Sequence, residues 1–295
     1  MNPVSQKLPD LCLMSYENGF TKNDIEQLQP TEKIGILATV NEKGQPHITL
    51  ITSLQPISEN KMVFGQFAKG LSKKHVQENP KVAFLLMTLD RSLWRGRADY
   101  THLRTEGPEY RMYNEKPMFR YNAYFGINTV YYFDLKALQP KTKLPLPAII
   151  FSTLATRLAR SASASKSQKT ILNPLAQNMF NNLSALKFIS WIKHDGYPAL
   201  IPVLQCQAAD TTRLAFSGAA FGSDLSKINP GTETAVFALT MKMEDVLVRG
   251  TFNGFARHRG VKLGTIDINW VYNSMPPAHG QVYPPVPLAP VTEFK

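Results

Sequence analysis

Residues 62–84 read MVFGQFAKGLSKKHVQENPKVAF. The apolar run Met62 to Phe64 predicts a strand, the glycines that follow predict a turn, and Leu71 to Glu78 predicts a short polar helix stopped by Asn79-Pro80. A second apolar run then predicts another strand. Lys73 and Lys74 fall in the first turn of the helix, where unpaired backbone N–H groups and the macrodipole favour acids over bases. Two lysines there repel the helix end and each other unless an anion is bound. A phosphate reverses that sign, and each charge-assisted hydrogen bond to it contributes about 1.5–3 kcal/mol. Ser72 is placed to cap the helix and to donate its hydroxyl to the same anion. The plain alternative is that both lysines point into water.

Outward from this stretch, one order of features occurs twice. A strand from Ile34 to Val40, a turn at Gly44-Gln45-Pro46 and a strand from His47 match a strand from Leu186 to Ile192, a turn at Gly196-Tyr197-Pro198 and a further strand. Asn79-Pro80 and Asn229-Pro230 each close a short polar stretch before an apolar strand, KVAFLLM in one case and TAVFALT in the other. Arg95-Gly96 and Arg249-Gly250 each sit in a later strand. Three landmarks in the same order at near-constant spacing predict an internal duplication, with units too long for a solenoid. Strand positions rich in Val, Ile, Phe, Thr and Tyr, without a sustained βαβ rhythm, predict antiparallel strands closing into small barrels.

The expected organisation is a first domain over 1–140, a linker with a helix over 141–180, and a second domain over 181–295 that ends in a Pro-rich tail. Counting back from Asn229-Pro230 sets Asp224 where the first copy has Lys74 and Ser223 where it has Lys73. GSDLSKINP therefore reads as an ordinary capped helix with an acid in its first turn, which would repel a phosphate.

A chain of 295 residues, 43% hydrophobic and 19% charged, has room for two such domains. Its net charge of +11 permits nucleic acid, an anionic membrane or a phosphorylated ligand as partner. The basic residues are scattered, so a solvated basic surface is the simplest reading. Cys12 and Cys206 stand far apart in no metal or redox spacing, which fits a reducing cytoplasm. The first twenty residues lack the apolar core of a signal peptide. The stretch LPLPAIIFSTLATRLA, residues 144–159, is too short and too interrupted by proline to span a bilayer, leaving an amphipathic surface helix as its one membrane-facing alternative. The six histidines show no zinc spacing, so no metal is expected, and no Ser/His/Asp or Cys/His arrangement is recognisable.

GILATVNEKGQPHITLI (35–51), KMVFGQ (61–66), SKK (72–74), NPKVAFLL (79–86) and WRGRADY (94–100), in that order, resemble the FMN-binding split-barrel family, whose best-known member is pyridoxamine 5′-phosphate oxidase. The likeness covers about residues 32–135 well and about 184–273 more faintly. It implies a mainly β fold of two tandem split β-barrels with short accessory helices, arranged as a pseudo-dimer. It implies FMN as cofactor, lying between two barrels. Ser72, Lys73 and Lys74 would hold its phosphate; His47, Ile48, Thr49 and Thr52 would run along the flavin; Gly65 and Gln66 would meet the ribityl chain and ring. Trp94 would lie near a flavin held across the barrel interface, with a place in a core or an interface as the alternative. The turn before Ser72 is a residue longer than the oxidase pattern, which bears on the match of Gln66 more than on that of the lysines; the oxidase's substrate residues find no match, so its reaction is not carried over.

The implied function is a flavin-dependent oxidoreductase acting with an unidentified small-molecule substrate or electron donor. A non-catalytic flavin- or haem-binding protein is the alternative, with His279 of the tail as a haem ligand. The expected partners include neither nucleic acid nor membrane, and the chain is expected to be a monomeric pseudo-dimer or a homodimer. The aromatic segment EYRMYNEKPMFRYNAYFGINTVYYF, residues 109–133, reads either as a cover for a planar ligand or as packing between barrels.

Overall fold

The computed structural model describes residues 17–66, 70–115, 126–274 and 279–286. Cys12, the middle of the aromatic segment (116–125) and the last nine residues lie outside this set. The first half runs α1 (Lys22–Gln27), β1 (Lys33–Val40), β2 (Pro46–Leu50), β3 (Gln55–Ser58), β4 (Lys61–Gln66), α2 (Leu71–Glu78), β5 (Lys81–Thr88), β6 (Ser92–Arg104), α3 (Pro108–Glu115), β7 (Thr129–Leu138) and β8 (Thr142–Lys143). After α4 (Leu146–Ala159) and α5 (Pro174–Asn181) the second half follows: β9 (Leu186–Ile192), β10 (Pro198–Pro202), β11 (Gln207–Ala208), β12 (Arg213–Ser217), α6 (Gly222–Leu225), β13 (Glu233–Leu239), β14 (Asp245–His258), β15 (Val261–Asn273) and β16 (Gly280–Tyr283).

The duplication is visible in the topology. One antiparallel sheet has the order β2-β1-β5-β6-β7-β4-β3, and the other has β10-β9-β13-β14-β15-β12-β11. Strand by strand these are the same path, with α2 and α6 at equivalent places between their fourth and fifth strands. The fold is mainly β, two split barrels in tandem.

The central strands are apolar at almost every position because both of their faces are covered. On β1, Leu37 enters the core of the first barrel, whereas Ile36 and Ala38 join a cluster shared with the second half. On β5, Val82, Phe84 and Leu86 point into the barrel, and Ala83, Leu85 and Met87 into the shared cluster. The second half mirrors this: Val236 and Ala238 on β13 fill their own barrel, and Ala235, Phe237 and Leu239 meet the first. Side-chain alternation with a period of two thus sends each strand's odd and even residues to two different cores.

The two Arg-Gly landmarks have a steric cause. A Cβ on Gly96 would stand 2.5 Å from the Ala137 carbonyl oxygen, and one on Gly250 would stand 2.2 Å from that of Asp267. Both glycines let β6 and β14 press against the neighbouring strand near a register shift, which falls between Arg97 and Ala98 in one pair and between Arg249 and Gly250 in the other.

Two expectations need correction. Ser72 does not cap α2: the N-cap is Gly70, and no side chain caps that end. Nor is α6 an ordinary capped helix. It has four residues, and it starts from Phe221 in a left-handed conformation with no side-chain cap. No helix among the described residues is long and apolar enough to cross a membrane.

Candidate functional site

The opening of α2 faces the seam between the two barrels. Ser72 is the second residue of the helix, so its side chain turns inward. It is fully buried, and among the described residues its hydroxyl oxygen has no hydrogen-bond partner. Lys73 leaves the helix beside it, with its ammonium 5.9 Å from the centre of the Phe64 ring at the end of β4. Among the described residues Lys73 has no carboxylate partner, and burial pushes its pKa from the ordinary 10.5 down to about 8. Lys74 points away: its ammonium is 3.3 Å from Glu78 one turn on, and the pair is largely solvated. The two lysines that look alike in sequence therefore have different environments.

One turn further, His75 is buried, and its Nδ1 lies 3.2 Å from the Thr39 hydroxyl of β1. Its pKa falls to about 4, mainly through burial. His47, opposite Thr39 on β2, sits edge-on to His75 with ring centroids 4.9 Å apart. Burial holds His47 well below the ordinary imidazole value, and His75, Arg249, Lys73 and His279 add to this. Both imidazoles are thus neutral at pH 7, with Arg249 acting on both and Lys73 on His47.

The second barrel supplies the other wall. Arg249 of β14 stacks on Trp270 of β15, with 4.0 Å between guanidinium and ring centre. It donates to the Gln45 side-chain oxygen, while the Gln45 amide donates to Glu233 at 3.0 Å. Its Nε is buried without an acceptor among the described residues. Tyr272 stacks on Trp270, lies 5.6 Å from the His47 ring and is 6.0 Å from the ring of His279.

Of the other residues singled out in the sequence, Ile48 is buried in the shared cluster. Thr49 is half-buried on β2, and Thr52 is half-buried in the turn after it. Gly65 and Gln66 close β4. The Gln66 side-chain oxygen accepts from the Tyr131 hydroxyl at 2.8 Å, and a Cβ on Gly65 would collide with Ile127. Trp94 belongs elsewhere. It is wholly buried in the first barrel's own core, and its indole N–H donates to Asp24 at 2.8 Å. Sequence reasoning passed over Arg249, His75, Tyr272 and Trp270 as site residues. The repeated Arg-Gly was the available signal for Arg249, because the strand that carries it faces the opposite helix in each half.

The equivalent place in the second half is built differently. There Arg95 of β6 reaches across to Asp224 of α6 at 3.0 Å, and Lys227 stands 3.4 Å from the same carboxylate. The arginine of the repeated Arg-Gly thus meets an acid of the opposite half there, whereas Arg249 meets the neutral Gln45.

Residues 21–140 match the family model described as pyridoxamine 5′-phosphate oxidase. The match covers the first split barrel, and the second barrel repeats its strand order. Similar solved structures include an FMN-binding protein from Syntrophomonas wolfei subsp. wolfei, 16% identical over 41% of this chain and 86% of that one, with a TM-score of 0.33. A putative pyridoxamine 5′-phosphate oxidase from Lactobacillus delbrueckii is 15% identical over 42% and 98%, with a TM-score of 0.34. HupZ from Group A Streptococcus is 17% identical over 42% and 98%, with a TM-score of 0.33. No match was found among curated proteins.

Proposed function

We propose that the first barrel binds FMN at the opening of α2 and that the chain is a flavin-dependent oxidoreductase acting on a small molecule. The observation that carries this reading is the buried, unpartnered Ser72 hydroxyl beside Lys73, a partly buried cation with no carboxylate partner among the described residues. Such groups are costly to bury unless something completes them. A dianionic phosphate does so: it accepts from Ser72, pairs with Lys73 and meets the first backbone N–H groups of α2. Arg249 adds positive charge from the second barrel. Thr49, Thr52 and Gln66 are the candidates for the flavin's flank. When bound, the flavin supplies hydride or electron transfer, and this chain's part is to bind, orient and exclude water. Neutral His47 and His75 form a polar floor that holds no charge of its own. Lys74, paired with Glu78, contributes long-range attraction rather than a direct bond.

The test is a fluorescence-quenching titration of the purified protein with FMN and with riboflavin. FMN should bind at least about tenfold more tightly, the scale of one charge-assisted bond. Equal affinities would remove the phosphate from the site and the proposal with it. A Soret band in the purified protein's visible spectrum, lost in His279→Ala, would favour a haem-binding protein instead.

A further inference from the structure

Helix α4 is amphipathic the wrong way round for a barrel-packing helix. Its buried residues are Ile149, Ser152, Thr156 and Ala159, mostly small or hydroxylic. They dock by polar contacts: the Thr156 hydroxyl accepts from the Ser217 amide at 2.8 Å, and the Gln207 side chain donates to the Thr153 carbonyl at 3.0 Å. Its bulky residues face outward. Ile150, Phe151, Leu154 and Leu158 are 59%, 66%, 53% and 71% exposed, and their spacing puts them on one stripe. Beside the stripe, Phe151, Ala155, Phe255 and Val261 line an open cavity of about 470 Å³.

The chain that carries this stripe is basic. No aspartate or glutamate lies between Asp134 and Asp195, while nine lysines and arginines do. At the C-terminal end of α4, the β14–β15 hairpin brings in Arg257, Arg259 and Lys262, and Arg259 donates to the Leu158 carbonyl at 3.4 Å. Among the described residues none of Arg157, Arg257, Arg259 and Lys262 enters an ion pair with a carboxylate.

We propose that α4 and the adjoining hairpin tip dock on an anionic lipid surface, with the apolar stripe entering the headgroup boundary and the arginines pairing with lipid phosphates. This needs no spanning segment; it is the interfacial mode of a helix with an apolar face and a basic rim. A second copy of this chain is the poorer occupant, because a two-fold contact through the stripe would bring two sets of like charges together without an acid between them. Nucleic acid would use the arginines and leave the stripe in water.

The experiment is co-sedimentation of the full chain with phosphatidylcholine vesicles, with and without about one-third phosphatidylglycerol, at low and high salt. Binding should favour the anionic vesicles by about tenfold or more and weaken as salt rises. Leu154→Ser with Leu158→Ser should lose vesicle binding while keeping the wild-type melting temperature, since both residues are exposed. Arg157→Glu with Arg259→Glu should lose the preference for anionic lipid. Phe151→Trp should show an emission blue shift on anionic vesicles beyond that of the native indoles. No vesicle binding, binding indifferent to the Leu154/Leu158 pair, or a wild-type dimer that the same pair makes monomeric without any vesicle binding would each overturn the proposal.

Discussion

Lys73 keeps its charge against the pull of burial, and this makes it a pH-dependent residue. With its pKa lowered to about 8 from 10.5, the unfolded chain holds more protons than the folded one between those values. Stability of the ligand-free protein therefore rises as pH climbs through that window. Lys187, also pushed to about 8 by burial, adds a slope of the same sign, so the readout is a difference. Melting curves from pH 7 to 10 should rise less steeply in Lys73→Met than in the wild type; parallel curves would mean that Lys73 is solvated. A bound phosphate requires the charged form, so FMN affinity should fall as pH passes about 8. Trp94 gives the opposite kind of expectation. Trp94→Phe removes the donor to Asp24 and should cost about 1–3 kcal/mol in denaturant unfolding, with FMN affinity unchanged.

At the scale of elements, the strands were legible because their apolar runs were continuous and their turns carried Gly and Pro. The helix α2 was legible through Asn79-Pro80. What was hidden is which way each side chain turns at the start of α2. Sequence sets Ser72, Lys73 and Lys74 side by side, but a helix spreads consecutive residues around its axis, so Ser72 goes inward, Lys73 along the seam and Lys74 into solvent. The side that Trp94 takes was hidden for a similar reason: on β6 it alternates with Arg95, and only one of the two faces the other barrel. The neighbouring glycines carry a test. Gly96→Ala and Gly250→Ala each push a methyl group onto a backbone oxygen that has no room to yield. Each should lower stability by about 1–3 kcal/mol or more, measured by urea unfolding. A neutral outcome would mean that the strands separate freely there.

For the whole molecule, duplication has produced two seams that are related by fold and unequal in chemistry. The first seam gathers Lys73, Ser72 and Arg249, and the second contains the Arg95–Asp224 pair. Titration should therefore give one FMN per chain; two would show that the second seam also binds. Asp224→Asn would leave Arg95 buried without its acid, at a cost of about 3–5 kcal/mol in unfolding, and should not change FMN affinity.

That internal pair has a consequence for how the protein ages between loading and unloading. In a symmetric dimer with two ligand sites, losing the ligands leaves uncompensated positive charge on both sides of the contact. Here one side is permanently neutralised from within the chain, and the two halves share a covalent tether and a common apolar core. If the first seam binds FMN as proposed, the ligand can depart without the halves coming apart, and the ligand-free chain should keep the wild-type melting temperature on dilution.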